Sequence, residues 1–161
     1  MHILLTRWLY WTDYYLIVPK IQRMSMDGTS KTILHDTDLS APYGLTLDYD
    51  TQTLYWTDYI RNRIEKSNAD GSNRMIVTTS MINDAYSITF YNGMLYWTDH
   101  SYNRILTASV DTGTSSYLTS ATNDMYGITV VTEERQPLGK HYNIMAVTRK
   151  FNHPLNSISS K

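Results

Sequence analysis

The sequence predicts an all-β fold, a β-propeller of four-stranded antiparallel blades that is left unclosed. Three observations predict it. The pentapeptide Leu-Tyr-Trp-Thr-Asp occurs three times unchanged, at residues 9–13, 54–58 and 95–99. Its tryptophans, Trp11, Trp56 and Trp97, stand 45 and 41 residues apart, a period that belongs to stacked repeat units. Between the copies the chain reads as short β-branched and aromatic runs broken by turn residues, with no convincing helical periodicity.

Each unit carries four phrases. The first is an apolar strand: Pro42-Tyr-Gly-Leu-Thr-Leu-Asp48, Ala85-Tyr-Ser-Ile-Thr-Phe90 and Met125-Tyr-Gly-Ile-Thr-Val-Val131. The second is the pentapeptide strand. Alternation sends Tyr55 and Thr57 to one face and Trp56 and Asp58 to the other. Both faces then hold a large aromatic, as expected of a blade covered on both sides. The third phrase begins at Ile21, Ile64 and Ile105, and the fourth at Lys31, Arg74 and Ser115. Asp27-Gly28, Asp70-Gly71 and Asp111-Thr-Gly113 join the third to the fourth. Gly tolerates the positive φ of tight hairpins, so these are hairpin turns.

Bulk composition bounds the function. Of 161 residues, 42% are hydrophobic and 18% charged, the balance of a globular domain. The aromatics are 14 Tyr and 4 Trp against 2 Phe, which suits half-buried or partner-binding surfaces. Up to Arg135 the chain has 10 basic and 15 acidic residues; beyond it come 4 basic and no acidic ones. An acidic body disfavours nucleic acid. There is no cysteine, hence no disulfide and no thiolate metal site. No apolar stretch approaches the roughly 18 residues of a membrane span, and the N-terminal apolar run is too short for a signal peptide.

The order Pro42 to Asp48, then residues 54–58, then Ile64 to Gly71, resembles the class B (YWTD) repeats of the low-density lipoprotein receptor family. The likeness extends over residues 5–139, where Gln136-Pro137-Leu138-Gly139 is similar to the end of such a propeller. The resemblance implies six blades in the full ring, of which this chain holds about three, from the C-terminal half. It implies an extracellular or cell-surface, non-enzymatic module of a larger receptor-related protein. It also implies a protein or peptide ligand, a neighbouring epidermal-growth-factor-like module, no cofactor and no direct membrane contact. Residues 140–161 depart from the family as a basic tail, with a strand expected from His141 to Val147 and polar coil beyond. A half ring predicts uncovered blade faces, an unpaired edge along residues 125–131, and limited solubility. A truncated product, an incomplete gene model or half of a longer chain would each account for this.

Repetition separates scaffold from site. Tyr10, Trp11, Asp13, Tyr55, Trp56, Asp58, Tyr96, Trp97 and Asp99 recur at equivalent positions, and a symmetric array repeats its scaffold. The aspartates are read as bonding backbone amides where strands end. No short loop holds enough oxygen ligands for a metal. The five histidines form no ligand pair; His35 and His100 are the candidates for pH sensing in an endocytic receptor. No Gly-x-Ser-x-Gly, P-loop or dinucleotide-binding pattern occurs. The loops before the inner strands are the candidate ligand site. They bring Asp36, Asp38, Asp84 and Asp124 near Tyr43, Tyr86 and Tyr126, which a propeller gathers at one mouth of its channel. Acid and aromatic groups together suit a basic or amphipathic peptide. A metal-dependent lactonase or esterase propeller, or a non-functional fragment, is the alternative.

Overall fold

The structure, a computed structural model, describes residues 8–14, 17–120, 125–131 and 144–148. These residues are strands and turns with no helix, in three antiparallel sheets and a two-stranded pair. The first sheet holds β1 (Trp8–Asp13), β2 (Lys20–Ser25) and β3 (Thr32–His35). The second holds β4 (Pro42–Asp48), β5 (Thr53–Asp58), β6 (Arg63–Asn68) and β7 (Met75–Thr78). The third holds β8 (Ala85–Tyr91), β9 (Met94–Asp99), β10 (Arg104–Ser109) and β11 (Ser115–Ser120). Strands follow one another in each sheet in sequence order, as the hairpin turns dictate. The inner strands β4, β8 and β12 (Gly127–Val131) pack side by side across the sheets. This is an unclosed array of propeller blades.

Each residue of the pentapeptide has its own physical task. In β5, Trp56 is fully buried against Ile21 and Leu39 of the preceding unit, while Tyr55 packs the opposite way against Ile88 and Trp97 of the next. The Leu54, Thr57 and Asp58 side chains are also buried. The inner strands are bulged, with register shifts between Pro42 and Leu45 and between Ala85 and Ile88. A bulge frees a backbone N–H. Thr57 Oγ1 accepts the Gly44 N–H at 2.9 Å, and Thr98 Oγ1 accepts that of Ser87 at 3.2 Å. The carboxylate of Asp58 accepts the amides of Ser40 (2.8 Å), Ala41 (3.1 Å) and Arg61 (3.2 Å), fixing the loop that enters the blade.

Crowding at the inner strands explains the small residue after Tyr in the first phrase. A Cβ on Gly44 would stand 2.8 Å from the backbone N of Ile88 and 2.9 Å from the Tyr86 carbonyl oxygen. The equivalent Ser87 uses its Oγ to accept the Ile128 N–H at 3.2 Å, which ties β12 to the third sheet.

One expectation is corrected. The edge along residues 125–131 is paired: β13 (Ile144–Thr148) runs antiparallel to β12, from Gly127 opposite Thr148 to Val131 opposite Ile144. A β-branched run carried at the right distance along the chain satisfies an edge that otherwise exposes a row of backbone donors and acceptors.

Candidate functional site

Where the strands of β4, β8 and β12 begin, the repeat delivers one tyrosine per unit, and the three meet. Tyr43 and Tyr86 stack with ring centroids 4.6 Å apart and planes 15° apart. Tyr86 meets Tyr126 edge-on at 5.5 Å. The spacing follows from the packing of neighbouring inner strands, which places equivalent residues within ring contact.

A second row of aromatics bridges the first. The residue after each pentapeptide is Tyr14, Tyr59 or His100. Tyr14 packs on Tyr43 at 4.4 Å. Tyr59 lies against Tyr43 at 5.2 Å and Tyr86 at 6.0 Å. His100 lies against Tyr86 at 5.5 Å and Tyr126 at 4.9 Å, with its Nε2 3.1 Å from the Tyr126 hydroxyl. Each second-row ring therefore straddles the seam between two units. The backbone holds it there: the N–H of Tyr59 donates to Ala41 O and that of His100 to Asp84 O. The result is a continuous aromatic ladder across the seams, half-buried except for the more exposed Tyr14.

The ladder carries neutral hydroxyls and one nearby acid. Burial, reinforced by the Tyr14 and Tyr86 hydroxyls, pushes the Tyr43 phenol well above its usual range. A hydrogen bond to the Asp84 carboxylate, with burial adding to it, pushes the Tyr59 phenol up. Burial likewise raises Asp99, with the Asp84 charge adding and the amides of Tyr102 and Ser101 opposing.

Of the acids that the sequence points to, Asp84 alone among the described residues meets the ladder. Asp38 is engaged elsewhere: its carboxylate pairs with Arg61 at 2.9 Å and Arg63 at 2.8 Å, and its carbonyl accepts from Arg63 and Arg74. Asp36 is exposed beside buried His35. Asp124 lies outside the described residues. Asp13 is half-buried at the end of β1, opposite Lys20. Asp99 is buried and accepts the Tyr102 N–H at 3.2 Å. Tyr14 and Tyr59 escaped the sequence reading, and His100 was weighed only as a titrating group. The signal was present, since aligning the three copies shows a ring after every Leu-Tyr-Trp-Thr-Asp. Among the described residues no group of three or more His, Asp or Glu is placed to hold a metal, and no helix is long and apolar enough to cross a membrane.

Residues 7–49 match the family model described as low-density lipoprotein receptor repeat class B. The chain is 36% identical over 91 residues to a vitellogenin receptor of Solenopsis invicta, covering 54% of this chain and 5% of that protein. It is 30% identical over 89 residues to the protein cueball of Drosophila ananassae, covering 53% of this chain and 14% of that protein. The chain thus spans a small part of these relatives. Among solved structures it is similar to one in a nidogen/laminin complex, with TM-score 0.68 and 30% identity over 74% of this chain and 46% of that one. A gluconolactonase from Xanthomonas campestris superposes with TM-score 0.65 at 16% identity, covering 78% of this chain and 48% of the other, and shows the fold alone. These likenesses are to parts of propeller proteins built from class B repeats.

Proposed function

We propose that this class B repeat module works outside the cell without catalysis, capturing a protein or peptide ligand on the aromatic ladder. The carrying observation is the unbroken contact from Tyr14 through Tyr43, Tyr59, Tyr86 and His100 to Tyr126. Rings already packed on one another lose little conformational freedom when a partner seats on them, and Tyr is a preferred anchor at interfaces. The Asp84 carboxylate beside Tyr59 gives the surface its charge preference, a basic or amphipathic segment. The likeness to a vitellogenin receptor and to a propeller in a nidogen/laminin complex supports a protein-binding role. In the parent protein the module would sit beside an epidermal-growth-factor-like neighbour and make no direct membrane contact.

Fluorescence anisotropy of a labelled amphipathic Lys-Leu peptide tests this reading. Tyr86→Ala and Asp84→Lys should each weaken binding by about tenfold, the scale of one anchor. Equal binding by wild type and both variants would overturn it.

A further inference from the structure

The three strands that carry Leu-Tyr-Trp-Thr-Asp are not equally covered. In the second and third sheets β5 and β9 each lie between an inner strand and a third strand. In the first sheet β1 pairs with β2 alone among the described residues. The exposures record the difference. Leu9 is 47% exposed, whereas Leu54 and Leu95 are 1% and 0% exposed, opposite Leu47 and Phe90 of their inner strands. Trp11 is half-buried, whereas Trp56 and Trp97 are fully buried. The first sheet thus offers an edge where the repeat places an inner strand.

The other end of the array shows the converse. There β12 is an inner strand, and β13 stands where its sheet would carry the pentapeptide. Ile128 is opposite Val147 as Ile88 is opposite Trp97, and Thr129 is opposite Ala146 as Thr89 is opposite Tyr96. Val130 is opposite Met145 as Phe90 is opposite Leu95. Met145-Ala146-Val147-Thr148 therefore takes the register positions of Leu-Tyr-Trp-Thr, with Ala for Tyr and Val for Trp. The residue that follows is Arg149 and not Asp. Asp58 accepts the amides of its entry loop, and Arg has no acceptor to offer. The buried cluster on this side is correspondingly small: Ile105, Met125 and Ile128, with Tyr96 half-buried where Tyr55 is buried.

We propose that these two edges are an interaction surface for a second copy of this chain: β12 of each copy leaves β13 and joins the first sheet of the other as its inner strand. The repeat fixes the register, with Ile128 opposite Trp11, Thr129 opposite Tyr10 and Val130 opposite Leu9 of the second copy. A strand that brings Tyr and Trp buries more apolar area than one that brings Ala and Val, and its Asp restores the loop acceptor. The exchange is reciprocal, so a two-fold axis closes the pair and both edges are satisfied. Three four-stranded sheets result in each copy. The lengths agree, because this chain covers 46% of the chain in the nidogen/laminin complex and 48% of the gluconolactonase, so two copies span about one such fold. This pairing does not depend on what the aromatic ladder binds.

The chain has no cysteine, so introduced cysteines report the register directly. Full-length Leu9→Cys and Val130→Cys variants, mixed in a glutathione redox buffer, should form a disulfide-linked dimer on a non-reducing gel, because opposed residues of paired strands lie within disulfide range. Each variant alone should stay uncross-linked, and a chain carrying both should give a closed dimer and nothing larger. No cross-linked dimer in the mixture, equal cross-linking of either variant alone, or a ladder of higher oligomers from the double variant would overturn the proposal. Ala146→Pro removes a backbone donor from β13 and leaves β1 and β12 unaltered. Light scattering over a dilution series should show it dimerising about tenfold more tightly than wild type. Dimerisation no tighter than that of wild type would overturn the exchange of β13 for β1.

Discussion

The two seams between the three sheets are built from one repeat and stabilised by different physics. The seam between the second and third sheets is apolar. Tyr55, Ile64, Ile82, Ile88, Leu95, Trp97 and Leu106 lie buried in one cluster, with Val77, Phe90 and Val110 packed against it. The seam between the first and second sheets has a smaller buried cluster of Ile21, Leu39, Leu54 and Trp56. Tyr10, Leu34, Leu45 and Leu47 pack against it, and a polar network adjoins them. Glu65, opposite Trp56, occupies the position that Leu106 holds opposite Trp97. Buried Glu65 binds Arg63 at 3.0 Å and Arg74 at 2.8 Å, and Arg74 reaches on to Thr37 O and Asp38 O. His35 lies against Trp56 at 5.0 Å with Nε2 3.0 Å from Ser67 Oγ. An identical pentapeptide therefore tolerates either oil or charge at its back. The apolar seam needs only volume, whereas the polar seam needs every partner present.

Glu65→Leu, which copies the apolar seam into the polar one, separates the two descriptions most sharply. It leaves Arg63 and Arg74 without their buried carboxylate and should cost about 3 kcal/mol in denaturant unfolding. Adding Arg74→Leu should return part of that loss, because removing both charges avoids stranding one. A single variant as stable as wild type would show that the ion cluster adds nothing to the seam.

The turn glycines give a smaller contrast. Gly113 has φ +67°, and a Cβ there would stand 2.3 Å from the Val77 carbonyl oxygen across the apolar seam. Gly71, at φ +91°, would bring a Cβ to 3.2 Å from the Leu34 carbonyl oxygen. Gly113→Ala should cost roughly 2–3 kcal/mol and Gly71→Ala about 1 kcal/mol, read as melting-temperature shifts. Equal shifts would mean that positive φ alone, and not the closeness of the seams, sets the cost.

The smallest effects are pH slopes of opposite sign. Burial, aided by Arg74, lowers His35 below its ordinary 6.5. As pH falls through 6.5 the unfolded chain takes a proton that the folded site resists, so stability drops until the folded value is passed. Asp99 is raised above its ordinary 3.8, chiefly by burial. The folded chain then keeps a proton that the unfolded one has released, so stability drops as pH rises from 3.8 through the folded value and levels off above it. Melting curves of His35→Asn and Asp99→Asn against wild type should each remove one slope. A His35→Asn curve parallel to wild type near pH 6 would show that His35 does not titrate with folding.

Much of this was legible beforehand because repetition is a linear signal. Three copies of Leu-Tyr-Trp-Thr-Asp set the strand count and turns, and their alternation put Trp56 and Tyr55 on opposite faces, as found. Tyr43, Tyr86 and Tyr126 were legible for the same reason. Asp38 was misplaced beside Asp84 because loop acids look alike in sequence. Asp38 stands five residues before Tyr43 and Asp84 two before Tyr86, so only Asp84 meets the ladder while Asp38 meets arginines. The pairing of β13 with β12 was also hidden, since a ladder between distant segments leaves no periodic trace.

The sequence by itself determined the repeating unit, because side-chain alternation and turn chemistry are local. The tertiary structure alone decided what each seam became. Whether Glu65 finds two arginines and whether Tyr59 straddles two units both depend on which side chains face one another across sheets. No local rule encodes that: it follows from the distance between strands that the chain visits 40-odd residues apart, as the 45- and 41-residue spacings of the tryptophans show.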